Sequence, residues 1–168
     1  NWVHRLRGES FAEYMAGRPS RVRNTIARKQ RKLEREQGYS IRLFGGDDLH
    51  QGMADYNAVY DASWKARELF ADFVDGLAER LSRRGWLRLA VLYIAGKPAA
   101  AQFWFVAHGK ASIFKLVYDE AWKRYSPGSI VLGVWFRTSS CSIARATFRS
   151  NAASSHATPA YALLTALS

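Results

Sequence analysis

The chain has 168 residues, of which 48% are hydrophobic and 14% aromatic, so it has the makings of one folded domain and is short for two. Its formal charge is +11; a single cysteine, Cys141, excludes an internal disulfide, and four scattered histidines leave no zinc-type ligand spacing. The apolar runs, Ile130 to Phe136 among them, fall far short of the roughly 20 residues that a membrane-spanning helix requires.

The chain opens at Asn1 without Met and without a signal-like apolar stretch, which reads as a piece of a longer protein. Ser10 followed by Phe11, Tyr14 and Met15 predicts a short capped helix ending at Gly17. Pro19-Ser20 starts a longer helix to about Gln37, closed by Gly38. Val22, Ile26 and Leu33 give it only a narrow apolar stripe. Eight Lys/Arg between Arg18 and Glu36 face only Glu34 and Glu36. Arg21, Arg28, Lys29, Arg31 and Lys32 therefore offer a contact for a polyanion such as nucleic acid or a phosphorylated cofactor; the other reading is a solvated helix face.

Tyr39 to Phe44 alternates as a strand, Gly45-Gly46 turns, and Asp47 or Asp48 caps a helix with Leu49, Met53, Tyr56, Val59, Tyr60 and Trp64 near helical spacing. A further helix, about Leu69 to Ser82, carries Leu69, Phe70, Phe73, Val74, Leu77 and Leu81 on its apolar face. After Gly85 the period drops to two. Trp86–Ile94, Ala99–Ala107 and Ala111–Tyr118 read as three strands joined by the turns Ala95-Gly96-Lys97-Pro98 and His108-Gly109-Lys110, an antiparallel meander over about 86–118. His108 is expected in solvent. The class is α+β: helices first, the meander, then a helix docked at its end.

That last helix opens at Ser126-Pro127-Gly128-Ser129. Ser126 reads as its N-cap, Pro127 suits the first helical position, and Gly128 admits a ligand close to the backbone. A helix start presents unpaired N–H groups and the positive end of the macrodipole, which suits a phosphate. An ordinary capped helix explains the same residues. From Thr138 to Ser168, 19 of 31 residues are Ala, Ser or Thr, and no acid follows Glu120. This tail reads either as a flexible end or as a non-native stretch, such as a sequence translated out of frame.

Taken in order, Arg21–Lys29 with its Lys32–Glu36 continuation, Ala62-Ser63-Trp64-Lys65, Gly85-Trp86-Leu87-Arg88-Leu89, Gly96–Ala101 and above all Tyr118–Gly128 resemble the GNAT acyltransferase superfamily. More narrowly, the chain is similar to the CelD-like group associated with cellulose and exopolysaccharide synthesis, akin to the Fem-type transferases. The resemblance spans about Phe11 to Gly133 and divides the chain into a partial GNAT-like domain, 1–137, and the tail, 138–168. It implies a GNAT-like fold and transfer of an acyl group from acetyl-CoA or another acyl-CoA to an amine, with no metal. The CoA pyrophosphate would lie at the start of the helix after the fourth strand, at Tyr125, Ser126, Gly128 and Ser129. The family's closing motif, Gly-(Asp/Asn)-Asp-x-Tyr-Lys followed by Trp, has no counterpart here: Tyr161 is followed by Ala162-Leu163. The last strands are thus expected to be missing, which would open the acyl-CoA cleft.

Acyl transfer to an amine needs a positioned thioester, a polarised carbonyl and removal of a proton. Asp119, Glu120 and Tyr118, at the end of the third meander strand, are candidates for the proton. Lys115, a further catalytic candidate expected on one strand face with Ile113 and Val117, either enters a cleft or reaches to water. Trp64 and Lys65 line the acceptor side in this reading, though a tryptophan at helical spacing also fits a core. Alternatives remain open: a nucleic-acid- or tRNA-binding module built on the basic helix, or an inactive truncated remnant. A reducing, cytoplasmic setting fits best.

Overall fold

The computed structural model describes residues 3–5, 11–66 and 70–133. Five antiparallel strands form one sheet: β1 (Val3–Arg5), β2 (Ser40–Phe44), β3 (Leu87–Ile94), β4 (Lys97–Ala107) and β5 (Lys110–Tyr118), in the order β1-β5-β4-β3-β2. The three-strand meander is therefore the centre of a wider sheet. The strand expected at 39–44 joins it beside β3, and β1, which nothing in the sequence announced, pairs with β5 only over Lys110–Ser112.

Both hairpins are two-residue turns with positive φ at each position, Ala95 (50°) and Gly96 (75°), His108 (50°) and Gly109 (70°). That twist matches the strands they join and locks the register Ile94↔Lys97 and Ala107↔Lys110. His108 is exposed, as expected, with Trp86 5.5 Å away. Two irregularities interrupt the ladders. Leu92 faces Ala100 while Tyr93 faces Pro98, so Ala99 is an extra residue in β4. Phe103 faces Lys115 while Trp104 faces Ile113, so Phe114 is an extra residue in β5.

Helices cover both faces of the sheet. On one lie α3 (Leu49–Asp61) and α4 (Ala71–Arg83), where Met53, Tyr56, Val59, Val74 and Ala78 pack on Leu89, Val91, Ala101, Phe103 and Val117. Gly52 sits so close to Phe44 that an added Cβ would lie 2.4 Å from the Phe44 Cβ; only glycine lets α3 approach β2 this closely. On the other face lie α1 (Phe11–Ala16), α2 (Ser20–Gln37), a 3₁₀ turn (Glu120–Tyr125) and the helical residues 127–133, here α5. Leu33, Tyr125, Ile130 and Val131 pack there on Ala90, Leu92, Ile94 and Ala100.

The helix boundaries follow expectation closely for α2, where Gly38 takes φ 67° and its N–H closes on Leu33 and Glu34 carbonyls. The cap of α3 differs: Asp48 ends a 3₁₀ turn, Gly46–Asp48, and its carboxylate accepts from the Gly45 N–H at 2.9 Å rather than from a helix amide. In α4, Phe70 and Phe73 point outward, 69% and 62% exposed, because Val74, Ala78 and Leu81 make the buried stripe. Ser10, Leu69 and the tail from 134 onward, including Cys141 and the expected missing strands, lie outside the described residues.

Candidate functional site

The strand β5 delivers the chain to a groove beside the sheet. Its last residue, Tyr118, leads into Asp119, whose carboxylate accepts from the Ala121 N–H at 2.9 Å and so caps the 3₁₀ turn. The Asp119 N–H meanwhile donates to the Ala99 carbonyl at 2.9 Å, and the Trp122 N–H donates to the Asp119 carbonyl at 3.0 Å. Three bonds fix the direction in which the turn leaves the strand.

The turn ends at Ser126, which adopts the left-handed conformation, φ 55° and ψ 53°. For a non-glycine residue this costs roughly 1–2 kcal/mol. It swings the Ser126 carbonyl into the helix axis, where it accepts from the Ser129 N–H (3.0 Å) and the Ile130 N–H (3.4 Å). Ser126 thus stands at the N-cap position, as expected, but with a backbone other than the extended one that a capping serine usually takes. The polar segment between the strand and the helix forms the 3₁₀ turn.

A groove of about 270 Å³ opens at this junction, lined by Leu116, Tyr118, Lys123, Ser126, Gly128, Ser129 and Leu132. Gly128 is buried, and a Cβ there would lie 3.2 Å from Leu116 Cδ2, so the helix start and β5 are packed as closely as their backbones allow. The orientation of α5 is held from below. Gln102, fully buried on β4, donates from Nε2 to the Gly128 carbonyl (2.8 Å) and accepts from the Trp104 indole N–H (2.7 Å). Sequence reasoning passed over Gln102 in this role; its signal was a polar side chain in the otherwise apolar run Ala99–Ala107.

Of the four residues expected at the pyrophosphate, Ser126, Gly128 and Ser129 line the groove together. Tyr125 does not. Its ring is fully buried, and its hydroxyl donates to Glu36 Oε2 at 3.0 Å on α2 and accepts from the Arg124 guanidinium. The 3₁₀ geometry turns it toward α2, so it tethers the turn instead of facing a ligand. This hydrogen bond holds the Glu36 carboxyl below the usual carboxylate range, and Lys32 and Arg35 act in the same direction.

The remaining candidates gather at the same end of β5. The bulge at Phe114 changes the face on which Lys115 lies: Lys115 accompanies Val117 toward α3, whereas Ile113 packs with Trp104 and Leu132 on the opposite face. The expected Ile113–Lys115–Val117 face is therefore split. The Lys115 ammonium sits 5.7 Å from the Tyr60 ring centroid and 5.5 Å from that of Phe114. Because Ser63 Oγ donates to the Tyr60 carbonyl at 2.7 Å and α3 ends at Asp61, Trp64 and Lys65 lie in a bent segment past the helix. Trp64 is 49% exposed rather than core, and its ring stacks against Tyr118 with centroids 4.4 Å apart. Lys65 places its ammonium 6.0 Å from the same Tyr60 ring that Lys115 covers. Tyr118, Trp64, Lys65 and Lys115 are thus neighbours, and Tyr118 joins them to the groove.

Among the described residues no group of three or more His, Cys, Asp or Glu could hold a metal ion, and no helix is long and apolar enough to cross a membrane.

The family described as acetyltransferase (GNAT) domain matches residues 20–140. Two solved structures are similar over 72% of the chain: a GCN5-related N-acetyltransferase from Ralstonia eutropha JMP134, at 15% identity and TM-score 0.44 over 99% of its own length, and a GNAT family acetyltransferase from Staphylococcus aureus subsp. aureus USA300_TCH1516, at 11% and 0.42 over 98%. No curated protein sequence matches the chain.

Proposed function

The chain belongs to the GNAT acetyltransferase domain family, and from that premise we propose that it transfers an acyl group from acyl-CoA, acetyl-CoA among them, to an amine. The observation that carries this reading is the groove at the start of α5, where Ser126, Gly128 and Ser129 meet Lys123 and Tyr118 beside β5. Hydroxyls, a close-packed glycine and one ammonium suit a diphosphate better than an apolar ligand.

In the reaction the amine nitrogen attacks the thioester carbonyl carbon, the C–S bond breaks, the amine gives up a proton and the CoA sulfur takes one. Tyr118 lines the groove and is our choice for the proton-transferring group; its phenol can donate to or accept from a reacting atom. Asp119, with its carboxylate capping the turn, holds the end of β5 in place. The bulge at Phe114 takes one residue of β5 out of the ladder, and we assign a backbone N–H released there to the thioester oxygen. Trp64, Lys65 and Lys115 form the acceptor side in this reading, reached past Tyr118. The narrower kinship with the CelD-like group, a Fem relation, an acceptor from exopolysaccharide or cell-envelope synthesis and a cytoplasmic setting belong to the same proposal and rest on the motifs between Phe11 and Gly133.

Isothermal titration tests it. Saturable binding of acetyl-CoA, and CoA release when an amine acceptor is added, are expected. A chain that binds neither CoA nor acetyl-CoA would overturn the assignment.

A further inference from the structure

The side chains around Tyr125 form a second feature that the transfer reaction itself does not use. Lys32 Nζ lies 5.8 Å from the Tyr125 ring centroid and Arg124 Cζ lies 4.6 Å from it. Lys29 of α2 donates from Nζ to the Arg124 carbonyl, which brings its ammonium to the same turn. Two cations therefore flank one ring, and a third, Lys29, reaches the backbone of the same turn. The carboxylate that reaches them is Glu36, which already accepts from the Tyr125 hydroxyl at 3.0 Å and from Arg35 at 3.5 Å. An ammonium has three donors and a guanidinium five. Lys29 spends one on the Arg124 carbonyl and Arg124 one on the Tyr125 hydroxyl, so most of their N–H groups remain available to a ligand.

The cluster also adjoins the groove. Lys123 is the charged residue among those lining it, Arg124 follows directly, and Ser126 stands one residue beyond Tyr125. On a ligand whose diphosphate rests on Ser126 and Ser129 the next phosphate is one ribose away, and Arg124 lies two residues from Ser126. We propose that Lys29, Lys32 and Arg124 form a seat for a phosphomonoester, the 3′-phosphate of CoA, so that the protein distinguishes CoA from dephospho-CoA. The inference rests on the acyl-CoA reading of the groove and adds to it the part of the cofactor that this chain selects. Charge-assisted hydrogen bonds to a dianionic phosphate are the stronger kind, so loss of the 3′-phosphate should weaken binding at least about tenfold.

The test is titration of the unaltered protein with CoA, dephospho-CoA, adenosine 3′,5′-bisphosphate and inorganic phosphate, repeated with Lys32→Gln and with Lys29→Gln. CoA binding at least about tenfold tighter than dephospho-CoA, with the gap shrinking in either variant while dephospho-CoA affinity holds, supports the proposal. Tighter binding of the bisphosphate than of inorganic phosphate adds that the whole nucleotide is recognised and not phosphate alone. Equal affinities for CoA and dephospho-CoA overturn the inference and leave the acyl-CoA reading standing. A gap that both folded variants retain overturns the assignment to these residues. Failure to bind either cofactor overturns the reading of the groove itself. Because the ligand pair is compared on the unaltered protein, a variant that does not fold leaves the main comparison intact.

Discussion

Trp64 and Tyr118 stack with ring centroids 4.4 Å apart, although 54 positions separate them and neither is in a helix. The contact joins the bent segment after α3 to the last residue of β5, and so joins the proposed acceptor side to the groove. Trp64→Ala should remove an aromatic pair worth about 0.5–1.5 kcal/mol, a small fraction of the stability of a domain this size. If Trp64 helps hold the acceptor, the variant will raise the KM for the amine while leaving acetyl-CoA affinity unchanged. Steady-state kinetics with urea unfolding of the same variant separates the two effects.

Gly128 gives a sharper test of the groove. Its Cβ would stand 3.2 Å from Leu116 Cδ2, so alanine requires Leu116 to yield by a few tenths of an ångström. Gly128→Ala is expected to keep the fold with a modest loss of CoA affinity. Gly128→Leu brings three more carbons between β5 and α5, costs about 1–3 kcal/mol in stability, and should abolish titratable CoA binding.

Gln102 couples the sheet to α5 through two buried hydrogen bonds. Gln102→Leu leaves the Trp104 N–H without its acceptor and removes the side-chain donor to Gly128, at an expected cost of about 1–3 kcal/mol. Urea unfolding should show a lowered midpoint at unchanged slope. CoA affinity should fall too, since the helix start is no longer held in register with β5.

The Tyr125–Glu36 bond predicts a pH dependence of stability. The Glu36 carboxyl is held below the usual carboxylate range, first by the Tyr125 hydroxyl and then by Lys32 and Arg35. A carboxylate with a depressed folded-state pKa contributes stability above its unfolded pKa and loses it as the pH falls through the folded one. The Tm difference between the parent and Tyr125→Phe should therefore be constant at neutral pH and narrow as the pH is lowered through and below the usual carboxylate range. A difference that stayed constant down to strongly acid pH would remove the bond as its cause.

Much of the fold was legible because it depends on local conformation. Ala95-Gly96-Lys97-Pro98 and His108-Gly109-Lys110 announce turns, which the structure tightens to Ala95-Gly96 and His108-Gly109, and Gly38 announces the end of α2; these five residues take positive φ. Periodicity likewise located α3, α4 and the three central strands. What was not legible depends on partners distant in sequence. No glycine or proline marks the bulge at Phe114, so an unbroken alternation put Ile113 and Lys115 on one face. Trp64 falls at helical spacing, but Ser63 ends the helix through the Tyr60 carbonyl, which moves the indole to the surface. Tyr125 stands beside the groove in sequence, yet a 3₁₀ turn rotates it onto α2. Val3–Arg5 is a strand because β5 offers it an edge, and three residues alone carry no period.

The single extra residue in β5 acts as a parity switch. Upstream of it, odd-numbered Ile113 serves the layer of Trp104 and Leu132; downstream, odd-numbered Lys115 and Val117 serve the layer of α3. Excising Phe114 would restore perfect alternation with every face kept, because Ile113 and Lys115 would become consecutive residues opposite Trp104 and Phe103, as they already are. Deletion costs the ring that packs on Phe103, whereas drawing Phe114 into the ladder as a paired residue would invert one half of the strand and send either a lysine or an isoleucine to the wrong side.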